Sequence, residues 1–186
     1  VEAMLKMAAV TKDDVLYDLG CGDGRIVVAA AMERGARAIG VDMDPRRIAE
    51  ANALASTIGV EDRVEFLQED LLTVDFSEAT VLTLYLLPSL NVKLKARILT
   101  ELKPGTRIIA HAFNMGRWQP DAKRGMGGVS LYKWVVPAPL QGTWEWLSAE
   151  GQVYRVVLDQ TFQMLSGQAW IDGEQVELVE AKVLGS

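Results

Sequence analysis

The sequence predicts an α/β protein: a mostly parallel sheet flanked by helices, followed by an antiparallel β-rich tail. Three observations carry this. Over the first two-thirds of the chain, short apolar runs alternate with amphipathic stretches, the pattern of strands joined by crossover helices. A glycine-rich turn stands between the first such run and the first amphipathic stretch. From Val129 onward the chain shows strand signals and no helix.

The elements follow in order. Val15-Leu16-Tyr17-Asp18-Leu19 is a short apolar run ending in glycines, which reads as a buried strand. A helix over Gly24 to Arg34 carries the apolar stripe Ile26, Val27, Ala30 and Ala31, and Gly35 stops it. Ala38 to Asp42 is the second strand. Asp44 is placed to cap the next helix, with Pro45 at its first position, and that helix ends near Gly59. Val64 to Leu67, Ala79 to Leu87 and Thr106 to Phe113 are the third, fourth and fifth strands. A helix from Ser89 or Asn91 to Leu102 precedes the fifth and closes at Lys103-Pro104-Gly105. Asn114 to Gly128, rich in glycine and charge, reads as a loop. In the tail, Tyr154, Val156, Leu158, Phe162 and Met164 share one face at the strand period, and Ser166-Gly167 and Asp172-Gly173 read as turns. The expected organisation is a core over 1–118 and a β-rich extension over 129–186 that completes or covers the sheet.

Composition narrows the classes of function. The 186 residues carry 19 Lys+Arg against 25 Asp+Glu, a net charge of −6, and are 49% hydrophobic. That is a globular composition, with no apolar run of the ~20 residues that span a bilayer. The acidic balance argues against broad nucleic-acid binding, while a locally basic cleft stays open. A single cysteine, Cys21, and a single histidine, His111, leave no Cys/His metal cluster. A cytoplasmic location is expected; the chain starts at Val1, so a removed leader and an exported form stay open.

The strongest chemical signal is Asp18-Leu19-Gly20-Cys21-Gly22-Asp23-Gly24, between a strand and a helix. Glycines here let the backbone turn sharply and let a ligand touch the main chain without meeting a Cβ. The rival reading is a packing turn. Arg25 stands where a dinucleotide fingerprint needs its third glycine, and Asp18 adds negative charge where a pyrophosphate would sit. No Gly-Lys-Ser/Thr follows, so the loop is not a P-loop. An acid before the glycines favours a cationic ligand. Asp42, ending the second strand, is placed to accept hydrogen bonds from vicinal ribose hydroxyls, or to favour the next helix as a charge. Asp70, beyond the third strand, faces either an adenine amino group or solvent. Tyr85, at the end of the fourth strand, can face a reacting centre. His111 reads as a general base or a structural imidazole, and Trp118 as a substrate wall or a core cover. Cys21 lies among acids and reads as an ordinary thiol.

Together, Asp18-Leu19-Gly20-Cys21-Gly22-Asp23-Gly24-Arg25, the second-strand acid and Glu69-Asp70-Leu71 resemble the class I S-adenosylmethionine-dependent methyltransferases, over roughly residues 4–118. The resemblance implies a Rossmann-like sheet and S-adenosyl-L-methionine as cofactor, with S-adenosyl-L-homocysteine as product. It gives Asp18, Gly20, Cys21, Gly22 and Gly24 to the methionine part of the cofactor. Asp42 goes to ribose with Met43 near the adenine, and Asp70 with Leu71 to adenine. The Asp/Asn-Pro-Pro-Tyr/Phe motif of amide and base N-methyltransferases is absent. Tyr85-Leu86-Leu87-Pro88 is more similar to small prokaryotic enzymes related to protein-lysine methyltransferases. That makes Tyr85 the candidate catalytic residue and Leu86, Leu87, Pro88, His111 and Trp118 the candidate substrate contacts, with no metal. Protein-lysine N-methylation is the expected activity. A metabolite or lipid methyltransferase and a non-catalytic cofactor-binding module are the alternatives.

Overall fold

The computed structural model describes residues 1–185. The chain divides into two compact units at Val136/Pro137. The division expected between 118 and 129 cuts instead through residues that hydrogen-bond into the main sheet.

The first unit contains α1 (Glu2–Ala8), β1 (Val15–Leu19), α2 (Arg25–Arg34), β2 (Arg37–Asp42), α3 (Pro45–Ile58), β3 (Val64–Gln68), β4 (Val81–Leu84), α4 (Pro88–Glu101), β5 (Arg107–His111), β6 (Ala122–Met126) and β7 (Val129–Val135). Its strands form one seven-stranded sheet in the order β3-β2-β1-β4-β5-β7-β6, with β7 antiparallel to both neighbours. The α/β architecture is therefore the one the sequence predicts. β1 and β4 are buried along nearly their whole length, which is why they read as continuous apolar runs. Asp44 caps α3 by accepting from the Arg46 N–H, with Pro45 next, as the sequence implies. The chain order reverses between β1 and β4, so a crevice opens at the carboxyl ends of these two strands.

Four expectations change. α1 is a short helix that the sequence reading leaves unassigned. The expected loop over 114–128 contains β6, an edge strand exposed at all five residues, which a Gly127-Gly128 turn joins to β7. Both glycines take positive φ, 56° and 87°, as a two-residue hairpin requires. The face expected to run from Tyr154 to Met164 is split by a hairpin turn at Phe162-Gln163, with Thr161 paired to Met164. Ser166-Gly167 is not a turn. It lies inside a strand, where a Cβ on Gly167 would stand 1.9 Å from the Val157 carbonyl oxygen.

The second unit holds β8 (Gly142–Leu147), β9 (Val153–Thr161), β10 (Met164–Ile171) and β11 (Glu174–Val176), an antiparallel sheet in the order β11-β10-β9-β8. Asp172-Gly173 is the expected turn, with φ of 52° and 87°. Among the described residues, no helix is long and apolar enough to cross a membrane.

Candidate active site

The loop between β1 and α2 is built by three left-handed glycines, Gly20, Gly22 and Gly24, at φ 80°, 54° and 76°. Their reasons differ. A Cβ on Gly24 would stand 2.7 Å from the Ala51 Cβ and 2.8 Å from the Phe66 ring, so this glycine lets α2, α3 and β3 close together. A Cβ on Gly22 would meet nothing, which leaves its backbone open to a ligand. Gly20 faces Leu86, whose Cδ2 would lie 2.6 Å from a Cβ there, with Leu71 behind at 4.0 Å. The loop is tied to the end of β2: Gly20 and Cys21 N–H groups donate to the Val41 carbonyl, at 2.8 and 3.0 Å. Gly22 N–H donates to Asp42 Oδ2 at 3.0 Å, and Asp44 N–H to Asp42 Oδ1 at 2.9 Å.

A cavity of about 390 Å³ opens over this loop. It brings together Asp18, Gly20, Cys21 and Gly22 with Tyr85 and His111, from the ends of β4 and β5. Asp18 is 1% exposed and accepts from Thr83 Oγ1 at 2.7 Å, a bond set by the β1–β4 register, which pairs the two residues. Burial, reinforced by Asp42 and Asp23, pushes its carboxyl up to about 7. Burial also pushes the Cys21 thiol up to about 12, so it is an unreactive thiol, as its acidic surroundings imply. Tyr85 is 60% exposed, and its ring stacks on His111 with centroids 4.1 Å apart and planes at 23°. Burial lowers the His111 pKa and favours the neutral imidazole.

The next residue, Ala112, takes φ 67°, rare for a residue with a Cβ. Its turn is closed by Phe113 N–H on the His111 carbonyl, and its own N–H donates to the Ser130 carbonyl, both at 2.8 Å. This strained turn fixes where His111 leaves β5.

The other expected site residues stand apart from this cavity. Met43 is 64% exposed beside Asp42. Asp70 accepts from Leu72 N–H at 2.8 Å, closing a turn that carries Leu71. Leu87 and Pro88 are exposed at the start of α4. Trp118 does not wall a substrate slot. It is fully buried against Trp134, whose Nε1 donates to the Trp118 carbonyl at 2.9 Å. Asp23, Arg25 and Met126, to which the sequence reading gives no site role, also line the cavity. The first two lie within the glycine motif itself, so proximity is the available signal. Met126 comes from β6, which reads as loop.

These features fit S-adenosylmethionine. A buried carboxylate whose hydrogen bond comes from a neutral hydroxyl suits a cationic ligand, and an open glycine backbone suits close approach.

Comparison with known proteins agrees. The model of the ANTKMT methyltransferase domain matches residues 18–122. A protein-lysine N-methyltransferase of Saccharolobus islandicus is 45% identical over 121 residues, 64% of this chain and 75% of that protein. The mouse adenine nucleotide translocase lysine N-methyltransferase is 32% identical over 112 residues, 60% of this chain and 49% of that protein, so the chain spans about half the mouse protein's length. A crystal structure of an RNA methyltransferase from Salinibacter ruber, in complex with S-adenosyl-L-homocysteine, superposes with a TM-score of 0.74 at 49% identity. It covers 75% of this chain and 91% of its own.

Proposed function

The chain belongs to the ANTKMT methyltransferase domain family and is an S-adenosylmethionine-dependent methyltransferase, and we propose that its acceptor is the side-chain amine of a protein lysine. The observation that carries the proposal is one cavity joining the glycine loop and Asp18 to the Tyr85–His111 stack. The lysine named for the Saccharolobus and mouse relatives supports it. When bound, S-adenosylmethionine supplies a methyl group activated by its sulfonium.

The chain's own task is to bind, orient and exclude water. Asp18 and the open backbone at Gly22 receive the cationic methionine end. Asp42, already fixed by two N–H donors, presents its remaining lone pairs to ribose, with Met43 alongside. Asp70 and Leu71 receive the adenine. Tyr85, which lines the cavity, flanks the acceptor's way in, and the Leu86-Leu87-Pro88 segment that follows it offers contacts outside the cavity. A lysine must arrive as the neutral amine. Partial desolvation lowers an ammonium pKa, and the neutral His111 imidazole has a lone pair that can take the proton.

One observation favours a second acceptor: the Salinibacter enzyme at 49% identity is described as acting on RNA. The two readings separate by incubation with methyl-labelled cofactor and whole-cell lysate, followed by fractionation. Label in protein, recovered after acid hydrolysis as methyl-lysine, is the expected result. Label in RNA, lipid or small metabolites overturns it, as does cofactor binding with no transfer.

A further inference from the structure

We propose that the β8–β11 sheet is a docking surface for a cationic, lysine-bearing segment of the protein substrate, an inference that rests on the protein-lysine reading. The family match ends at residue 122, so this sheet lies outside the part of the chain that the family explains.

Its composition is one-sided. From Pro137 onward the sequence has two basic residues, Arg155 and Lys182, against seven acids, which accounts for five of the chain's six net negative charges. The first 136 residues are nearly balanced, with 17 Lys+Arg against 18 Asp+Glu.

One face of the sheet is also apolar and aromatic. Directly paired residues on neighbouring strands share a face. Trp146, Tyr154, Ile171 and Glu174 form one such row across β8, β9, β10 and β11, and Trp144, Val156, Ala169 and Val176 form the next. The Trp146 and Tyr154 rings stack nearly parallel, 5.3 Å apart at 10°. Trp144 and Trp146 keep 46% and 48% of their surface exposed, and Glu174 ends the row at the exposed β11 edge. A stacked, half-exposed aromatic pair at one end of the row and a carboxylate two strands away at the other suit an extended cationic segment, one lysine against the rings and another at the charge. The opposite face shows the same chemistry satisfied internally: the Arg155 guanidinium lies 5.2 Å over the Trp170 ring and 3.4 Å from Glu145.

Charge selects the occupant. Nucleic acid, an anionic membrane and a second copy of this sheet would all meet repulsion, whereas a lysine-rich segment is complementary. Docking on the same chain as the methyl-transfer cavity raises the effective concentration of the substrate.

The test uses the full chain and a fluorescent oligolysine peptide, with S-adenosylhomocysteine present. Anisotropy should show binding that weakens with added salt. Glu174→Lys should weaken it about fivefold, and Trp144→Ala with Trp146→Ala about tenfold. S-adenosylhomocysteine affinity should be unchanged in both variants. Because Glu174 is an exposed edge residue, its variant still decides the matter if the double variant unfolds.

Unchanged peptide affinity, tighter binding of an RNA oligonucleotide, or self-association lost with the tryptophans would overturn the docking surface. Unaltered KM for a methylated protein in both variants would also overturn it while leaving the lysine activity standing. Salt- and Glu174-dependent oligolysine binding, with no lysine methylated in any protein, would support docking and overturn the lysine reading instead.

Discussion

Asp18 holds its proton up to about pH 7 because a buried carboxylate loses hydration and sits near two other acids. Its folded pKa lies above the ordinary value of 3.8, so its contribution to stability is full below about 3.8 and is lost as pH rises from there through about 7. Asp18→Asn should therefore flatten the fall in melting temperature between about pH 4 and pH 7. A cation bound beside Asp18 favours the ionised form. Binding of S-adenosylhomocysteine should tighten as pH rises from about 6 to 8 and release up to about one proton, read by calorimetry in buffers of different ionisation enthalpy. The same proton count in Asp18→Asn would place the ligand's cation elsewhere. Asp42→Ala removes the proposed ribose contacts and unties Gly22, so it should weaken cofactor binding by about 2–4 kcal/mol, with the fold retained. An unchanged dissociation constant would reduce Asp42 to a loop tether. Tyr85→Phe keeps the ring that stacks on His111 and removes only the hydroxyl. A fall in kcat of about tenfold or more, at unchanged cofactor affinity, would assign the hydroxyl to the chemistry.

At the scale of elements, Gly24 shows how loop conformation and packing meet in one residue. Gly24→Ala combines a left-handed φ of 76° with a Cβ driven into Ala51 and Phe66, and should cost about 2–4 kcal/mol in chemical denaturation. A loss below about 1 kcal/mol would mean that α3 slides freely against the loop. The elements that the sequence displays are those with local signals: the buried runs of β1, β2 and β4, the Asp44-Pro45 start of α3, and the glycine stops of α2 and α3. What stayed hidden depends on partners. β6 is Ala-Lys-Arg-Gly-Met, with no apolar alternation, because an exposed edge strand buries neither face. The β9–β10 turn is masked because Phe162, not a glycine or asparagine, takes the left-handed position at φ 56°. In the site, the acid and the glycines are legible because left-handed turns need glycine. Thr83 as the partner of Asp18 follows only from strand register, and the burial of Trp118 only from β7 supplying Trp134.

For the whole molecule, the decisive boundary is Val136. β7 lies between β5 and β6, so a chain ending at Gly128 loses the strand that joins the edge to the sheet and the tryptophan that buries Trp118. It leaves β5 with an unpaired apolar edge, and such edges aggregate. A chain ending at Val136 keeps all seven strands. It also keeps the pair that fastens the end of β7, Val136 N–H on the Thr106 carbonyl at 2.9 Å and Gly105 N–H on the Val136 carbonyl at 2.8 Å. The two truncations should therefore behave oppositely, although they differ by only eight residues. The shorter should be aggregated, with no cooperative melt. The longer should melt cooperatively and bind S-adenosylhomocysteine within about threefold of the full chain, since no proposed cofactor contact lies beyond Val136. Circular dichroism melts and calorimetry on the pair check this. If the longer truncation also fails to fold, the second unit supplies stability to the first. If the shorter truncation melts cooperatively and binds the ligand, β7 is dispensable, and the sheet needs only its parallel strands to hold the glycine loop in place.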